Sequence, residues 1–367
     1  MQMTQATQMM RSRVRSWYGR ARPFVAVLTC IVVVAILMIA PYMLTGFYLN
    51  VLTEILIYGL LAMSINILMG YTGLTSLGHA AFFGLSAYAG AYLMLTSHAT
   101  FLTAFLVGLA IATFASVVFG AIALRATGIY FLMITLALNM LVFGTAFTFS
   151  PITGAENGLY GVTRPDFIFE DYQFYWFTLV VIIASTILIW RLVRSPFGLT
   201  LMGIRESESR MRTLGYNVFL HKLIAFTISG FFAGLAGCLY VFFRGGVSPA
   251  TVDLPVSVEG VLEVIIGGMG TLFGPVLGAT IIVVARELVS LQVGRWPTIL
   301  GVVLIVIVLF ARNGILGAYQ EWRARRRGQA GSEASEPAQS APGTAGETGT
   351  QSPSNESLQS VPLSDVQ

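Results

Sequence analysis

Residues 49–69, LNVLTEILIYGLLAMSINILM, form a continuous apolar run that holds one charged residue, Glu54. About 18 such residues are enough to cross the hydrocarbon core of a bilayer as a helix. Inside a bilayer the backbone has to satisfy its own hydrogen bonds, so a helix is the expected form for this run. The stretch therefore predicts a membrane-spanning helix.

The rest of the chain repeats this pattern. Hydrophobic residues make up 56% of the 367 residues and charged residues 10%, with a mean hydropathy of +0.77. A soluble domain has roughly 25% charged residues. We predict an all-α polytopic membrane protein of about ten transmembrane helices, with further spans near residues 24–44, 78–97, 100–123, 128–148, 173–193, 222–243, 256–268, 275–291 and 297–312.

Basic residues indicate how these spans are oriented. They concentrate in the N-terminal arm, at Arg125, between Arg191 and Lys222, and from Arg323 to Arg327. With ten spans and a cytoplasmic N-terminus, all of these groups fall on the cytoplasmic side, as the positive-inside rule requires. Nine spans would place one basic terminus outside. The net charge of +4 is thereby explained without a nucleic-acid partner.

Composition divides the chain into three parts. Residues 1–23 are a basic cytoplasmic arm, residues 24–312 the transmembrane domain and residues 313–367 a cytoplasmic tail. The first span resembles a signal peptide, but Met38 and Pro41 disfavour cleavage after Ala40. From about residue 328 small and polar residues dominate, so we expect most of the tail to be disordered.

Two glycine-rich segments interrupt the apolar runs. The first extends from Gly70 to His79 (GYTGLTSLGH) and the second, GGMG, from Gly267 to Gly270. Glycine interruptions in both halves of a transporter are typical of a translocation path. Tight turns between helices packed through small residues would explain them equally well. For His79 itself, a packing role is favoured over a proton relay or a ligand, because no cluster of His, Cys or carboxylate residues supports a metal site.

Ionisable residues within spans are functional candidates by default. Glu259 and Glu263 lie one helical turn apart on one face, close to the outer end of their span. We therefore expect water within their reach, and we expect the same for Glu54, Arg286 and Glu287. The candidate residues of a translocation path are Asn66, Gly70, Thr72, Gly73, Ser76, Gly78, His79, Glu259, Gly267, Gly268 and Gly270.

A cytoplasmic segment at about residues 199–215 reads as a short amphipathic helix. Ile204, Met211 and Leu214 share one face at helical spacing, and Gly215 is a suitable C-terminal stop. A helix lying on lipid is usually more uniformly basic, so the mixed charges favour docking to a cytoplasmic partner. The candidate docking residues are Ile204, Arg205, Glu206, Ser207, Glu208, Arg210, Met211, Leu214 and Gly215.

Motifs for catalysis are missing from the sequence. There is no G-x-x-x-x-G-K-[ST] phosphate loop and no H-E-x-x-H motif. No Ser or Cys nucleophile has an identifiable partner, and Cys30 and Cys238 both lie in apolar runs, where unpaired thiols are expected. The chain is expected to be no enzyme and to hold neither a cofactor nor a metal.

Several sequence blocks resemble one known family. NILMGYTG at 66–73 and SLGHAAFFG at 76–84 closely resemble the permeases of branched-chain amino acid ABC importers. TGAENGL at 153–159, residues 195–215 and AGLAG at 233–237 continue the match in the family's order, over about residues 50–312. Within the family the chain is more similar to the LivM type than to the LivH type. Thr75 and Glu263 depart from the pattern, which usually has apolar residues there.

The resemblance implies a multi-subunit assembly and an import function. It implies the type II-like ABC importer architecture in a bacterial inner membrane, with a second, LivH-like permease, two cytoplasmic ATP-binding subunits and an external solute-binding protein. Residues 199–215 would be the coupling helix, and ATP would be hydrolysed by the partners. Importers of urea, short amides or aromatic acids remain alternatives. So do two other classes, an ion-coupled secondary transporter and a structural or signalling membrane protein.

Overall fold

The computed structural model describes residues 35, 37–43, 46–97, 99–165 and 168–290. Of the first predicted span, residues 35 and 37–43 are described, and they are helical. The predicted span at 297–312, the arm at 1–23 and the tail at 313–367 lie outside the described residues. The total of ten spans therefore stays a prediction.

Eight of the predicted spans are present as helices with nearly the predicted bounds. The first of them, α1, continues as a π-helical extension at Ile67–Thr72. The eight are α1 (Gly46–Asn66), α2 (His79–Thr96), α3 (Phe101–Ala123), α4 (Ile129–Thr148), α6 (Asp171–Arg194), α9 (Val218–Arg244), α10 (Leu254–Gly267) and α11 (Gly274–Ser290).

Five of these helices are long and apolar enough to cross a membrane, namely α1 with its extension, α3, α4, α6 and α9. Helix α10 has only 14 residues, and α11 is described over 17 residues, up to Ser290. A helix needs about 20 residues to span the hydrocarbon core. The two helices form a hairpin whose turn, at residues 268–273, contains the second glycine-rich segment. The prediction of an all-α polytopic membrane protein is confirmed.

Short elements connect the long helices. They are α5 (Ser150–Thr153), a 3₁₀ turn (Ala155–Asn157), β1 (Leu159–Tyr160), α7 (Pro196–Glu206), α8 (Glu208–Thr213), β2 (Gly246–Val247) and a second 3₁₀ turn (Pro249–Thr251). The strands pair antiparallel, with Leu159 opposite Val247 and Tyr160 opposite Gly246. This pairing fastens the loop between α4 and α6 to the segment that follows α9.

Arg164 strengthens the same attachment. Its guanidinium donates to the carbonyl oxygens of Phe242 (2.9 Å) and Phe243 (3.0 Å), near the C-terminal end of α9, and to Asp171 (2.7 Å). A cation near the last carbonyl groups of a helix is favourable because these groups lack helical partners and carry partial negative charge. The loop between α4 and α6 is therefore held in place by a side chain as well as by backbone pairing.

Helix α1 is largely buried within the described bundle. All of its residues from Thr53 to Asn66 are buried, and it packs against α6, α9, α10 and α11. In contrast, α3, α4 and α6 expose large apolar side chains on their outer faces, among them Phe114, Leu141 and Val180. Apolar surface of this extent is expected against lipid or another subunit rather than against water.

The contact between α2 and α9 depends on small residues. A Cβ atom added at Gly237 would lie 1.9 Å from the carbonyl oxygen of Phe83 and 2.3 Å from the hydroxyl of Ser86. Close approach of two backbones through small residues is a common way to pack helices in membranes. Gly237 therefore sets the distance between α2 and α9.

Replacing Gly237 should force these two helices apart. We expect Gly237→Ala to lower the free energy of unfolding by about 1–3 kcal/mol, the usual cost of overpacking a core. Thermal unfolding in detergent measures the change. Gly144→Ala on α4 is the matched control, because nothing lies within 4 Å of its added Cβ. Equal unfolding temperatures for the two variants would contradict the close contact at Gly237.

Candidate translocation and coupling site

The two glycine-rich segments meet in space, and Asn66 joins them. Its carboxamide nitrogen donates to the carbonyl of Thr271 (2.8 Å), and its oxygen accepts from the N–H of Gly270 (2.9 Å). The side chain at the end of α1 thus satisfies two backbone groups in the turn of the α10–α11 hairpin. We call this meeting point, formed by Asn66, Gly70 and residues 268–271, the glycine junction.

Two glycines make the close approach at the glycine junction possible. A Cβ added at Gly70 would lie 2.1 Å from the Asn66 oxygen and 2.5 Å from the Gly270 nitrogen. Gly270 itself has φ +77°, a backbone conformation that side chains other than glycine rarely adopt. Gly267 ends α10 and Gly268 caps it, so both belong to the hairpin that carries the junction.

Arg205 connects the cytoplasmic segment to the glycine junction. Its guanidinium donates to the carbonyl oxygen of Gly70. The aliphatic part of its side chain passes close to Gly73, where an added Cβ would lie 3.0 Å from the Arg205 Cγ. The last carbonyl groups of a helix lack partners within it, and Arg205 binds one of them at the end of the π-helical extension. Helix α7 therefore contacts the point where the two interruptions meet.

The second half of the first glycine-rich segment is tied to other helices. Thr72 closes the π-helical extension by donating to the carbonyl of Ile67 (2.9 Å). The hydroxyl of Ser76 accepts from the N–H of Gly78 (3.2 Å), and the N–H of Leu77 donates to Thr135 on α4 (3.2 Å). These contacts fix the turn that leads into α2.

His79 belongs to a buried polar chain. Its Nε2 lies 2.7 Å from the hydroxyl of Ser229, and that hydroxyl donates to the carbonyl of Ser64 (2.5 Å). Because the one hydroxyl proton of Ser229 goes to Ser64, the Nε2 of His79 has to be the donor in the other hydrogen bond. The chain joins α1, α2 and α9. Among the described residues, no group of three or more His, Cys, Asp or Glu side chains could hold a metal ion.

A second polar cluster lies toward the opposite end of α1, and we call it the ionic network. Glu54 accepts from Arg244 on α9 and from Arg286 on α11, each at 2.7 Å. Arg286 also donates to Glu259 on α10 at 2.9 Å, and its guanidinium lies 4.8 Å from the ring centre of Tyr58. Four helices are thus connected by charged groups.

The prediction that Glu54, Glu259 and Glu263 have water within reach is wrong. Glu54 is 4% exposed, Glu259 5% and Glu263 0%. The prediction considers only the position of each residue along its own span and not the helices that pack against it. Glu54 and Arg286 are separated by 232 positions, and a sequence pattern gives no sign that such residues pair. The signal that was available was the presence of charges of both signs in apolar helices.

The predicted amphipathic helix is two helices, α7 and α8, rather than one. Ser207 separates them, and its hydroxyl accepts from the N–H of Arg210 (3.4 Å) as an N-cap of α8. Serine is among the preferred residues for this position. The predicted shared apolar face is also divided, because Ile204 is buried whereas Leu214 is 66% exposed.

The remaining candidate docking residues differ in their exposure. Ile204 packs inward and anchors α7. Glu206 and Arg210 are exposed, Met211 is half-buried, and Gly215 follows α8 with φ +88°. The surface that α7 and α8 offer to a partner is therefore mainly polar and charged.

Glu208 fastens α8 to the start of α9. Its carboxylate accepts from Lys222 (2.6 Å) and from Arg212 (2.7 Å). Partial burial alone would raise the pKa of Glu208, but hydrogen bonds and charge from Lys222 and Arg212 outweigh it and hold the pKa below its ordinary value. A carboxyl group with a depressed pKa stabilises the folded form at higher pH, and this contribution disappears as the pH falls.

The attachment of α8 should therefore be sensitive to acid. A spin label at Thr213→Cys, with Cys30 and Cys238 replaced by alanine, reports the mobility of α8. We expect mobility to rise as the pH falls through the depressed pKa of Glu208, which lies below its ordinary value of 4.5, because the carboxylate is then protonated. In Glu208→Gln the label should already be mobile at pH 7 and respond little to acid. A label that stays immobile in that variant would contradict the role of Glu208.

Comparison with known proteins identifies the family. The family model for the permease component of branched-chain amino acid transport systems matches residues 47–311. The high-affinity branched-chain amino acid transport system permease protein LivM of Salmonella typhimurium is 28% identical over 329 residues, covering 82% of this chain and 77% of that protein. LivM of Escherichia coli is 28% identical over 313 residues, covering 77% and 74%.

Similarity extends to the other type of permease. A probable branched-chain amino acid transport permease protein LivH of Methanocaldococcus jannaschii is 28% identical over 222 residues, covering 55% of this chain and 68% of that protein. No solved structure matches the chain. The family model covers well over half of the sequence, and the resemblance to LivM-type permeases is confirmed. The chain belongs to the family of permease components of branched-chain amino acid transport systems.

Proposed function

We propose that this chain is a transmembrane permease subunit of an ATP-driven importer for branched-chain or chemically related amino acids. The observation that carries the proposal is the contact of Arg205 with the glycine junction. It provides a direct connection between a charged, exposed segment and the point where the interruptions of both halves meet. Such a connection is what a permease driven by a partner subunit requires.

In the proposed assembly, a cytoplasmic ATP-binding subunit docks on the exposed charges of α7 and α8. Movement of α7 then changes the position of Arg205 at the carbonyl of Gly70, and the α10–α11 hairpin follows through Asn66. A second, LivH-like permease completes the path, and an external binding protein delivers the solute. Both termini are cytoplasmic in this proposal, and the membrane is the bacterial inner membrane.

One observation favours an ion-coupled secondary transporter as a second candidate. The ionic network places paired charges of both signs inside the helix bundle, and such groups often mark ion or proton pathways. Uptake that continues after the partner ATPases have been inactivated would support this candidate. Uptake that stops would support the ATP-driven importer. Importers of urea, short amides or aromatic acids remain alternatives within the proposed class.

The docking proposal predicts which proteins accompany this chain. A tagged chain extracted in mild detergent should co-purify with two ATP-binding subunits and a second permease. The charge reversals Glu206→Lys and Arg210→Glu together should remove most of the ATP-binding subunit, since exposed charges complementary to a partner are inverted. Glu156→Lys, an exposed reversal in the loop between α4 and α6, is the matched control. Unchanged co-purification with the double variant would contradict docking at α7 and α8.

The Arg205 contact predicts uncoupling rather than loss of assembly. In proteoliposomes, Arg205→Ala should lower the solute transported per ATP hydrolysed by about tenfold, as expected for losing a charge-assisted hydrogen bond. Arg205→Lys retains one charged donor, so the solute transported per ATP hydrolysed should fall less in this variant. Arg125→Ala, which removes an exposed arginine in the turn between α3 and α4, is the control. An unchanged transport-to-hydrolysis ratio in Arg205→Ala would overturn this role.

A further inference from the structure

Glu263 carries a buried carboxyl group that forms no hydrogen bond with the ionic network. It lies on α10 one helical turn after Glu259 and is 0% exposed. Neither of its carboxyl oxygens has a hydrogen-bond partner among the residues that the structure describes. A carboxylate without a partner is strongly destabilised in apolar surroundings. A cation placed beside Glu263 would therefore stabilise its carboxylate more than it would stabilise a carboxylate that already has a partner.

The nearby arginines already donate hydrogen bonds to other carboxylates. Arg286 donates one terminal nitrogen to Glu259 and the other to Glu54, and Arg244 also donates to Glu54. Among the described residues, these hydrogen bonds connect the two guanidinium groups to Glu54 and Glu259 and not to Glu263. The positive group that would complement Glu263 has to come from outside the network.

The position of Glu263 suits a step in translocation. It lies four residues after Glu259 and four residues before Gly267, between the ionic network and the glycine junction. On α11, an added Cβ at Gly278 would lie 1.8 Å from the main-chain oxygen of Glu263, so the two helices are in direct backbone contact there. Movement of the α10–α11 hairpin would therefore change the surroundings of Glu263.

We propose that Glu263 receives the ammonium group of a zwitterionic solute as the solute passes the α10–α11 hairpin. An ammonium group has three donors and a full positive charge, which match an unpaired carboxylate. This inference rests on the proposed importer function and narrows its substrate class. Urea and short amides carry no cationic group, and aromatic acids without an amino group would be repelled by Glu263.

The experiment uses the complete transporter in proteoliposomes with its binding protein, and L-leucine as the probe. Glu263→Gln keeps the size of the side chain but removes its charge, so L-leucine uptake should fall about ten- to a hundredfold. Glu263→Asp keeps the charge and should retain more uptake. ATP hydrolysis without solute should match the parent in both variants and the unfolding temperature should not fall, because loss of a purely structural role would lower both quantities.

Each outcome tests either the role of Glu263 or the proposed substrate class. Uptake of L-leucine by Glu263→Gln at the parent rate would overturn the inference while leaving the proposed function intact. Loss of assembly or of thermal stability in both variants would assign Glu263 a structural role and would also overturn it. If the parent transporter carries acetamide or urea and no L-leucine, the proposed substrate fails on a measurement independent of Glu263, and the ammonium inference fails with it.

Discussion

The structure depends on the two hydrogen bonds that the Asn66 carboxamide makes with the turn of the α10–α11 hairpin. Backbone groups that are buried in a turn have no partners in a helical ladder, and leaving them unpaired is costly. A single side chain at the end of α1 serves one donor and one acceptor. Since this turn links α10 to α11, the attachment fixes where the hairpin ends in the bundle.

Helix α1 also connects the glycine junction to the ionic network. Glu54 and Asn66 are twelve residues apart on one helix, which corresponds to about 18 Å along its axis. Both residues bind the α10–α11 hairpin, Glu54 through Arg286 and Asn66 through Gly270. A displacement of the hairpin would therefore have to change contacts at both ends of α1. The buried α1 serves as the fixed reference against which the hairpin and α7 are positioned.

The sequence predicted the long helices well because hydrophobic length is a local property. The predicted span at 173–193, for example, corresponds to α6 (Asp171–Arg194). The break at Ser207 was not predicted. A serine side chain can end one helix and cap the next, but the free-energy difference from a continuous helix is small, so the sequence alone does not show which form is adopted. The glycine segments were recognised as candidates, but their contact through Asn66 could not be predicted. It joins positions 204 and 205 residues apart, and its geometry depends on how whole helices pack.

The ionic network is better explained by function than by stability. Removing charges from water costs energy that a buried ion pair only partly restores, and apolar residues of similar size often stabilise a protein equally well. Glu54 compensates for this cost by accepting from two arginines, and Glu259 by accepting from one. Glu263 has no such compensation among the described residues. A helix bundle built only for stability would gain by replacing Glu263 with leucine, whereas a path for a charged solute gains by keeping it.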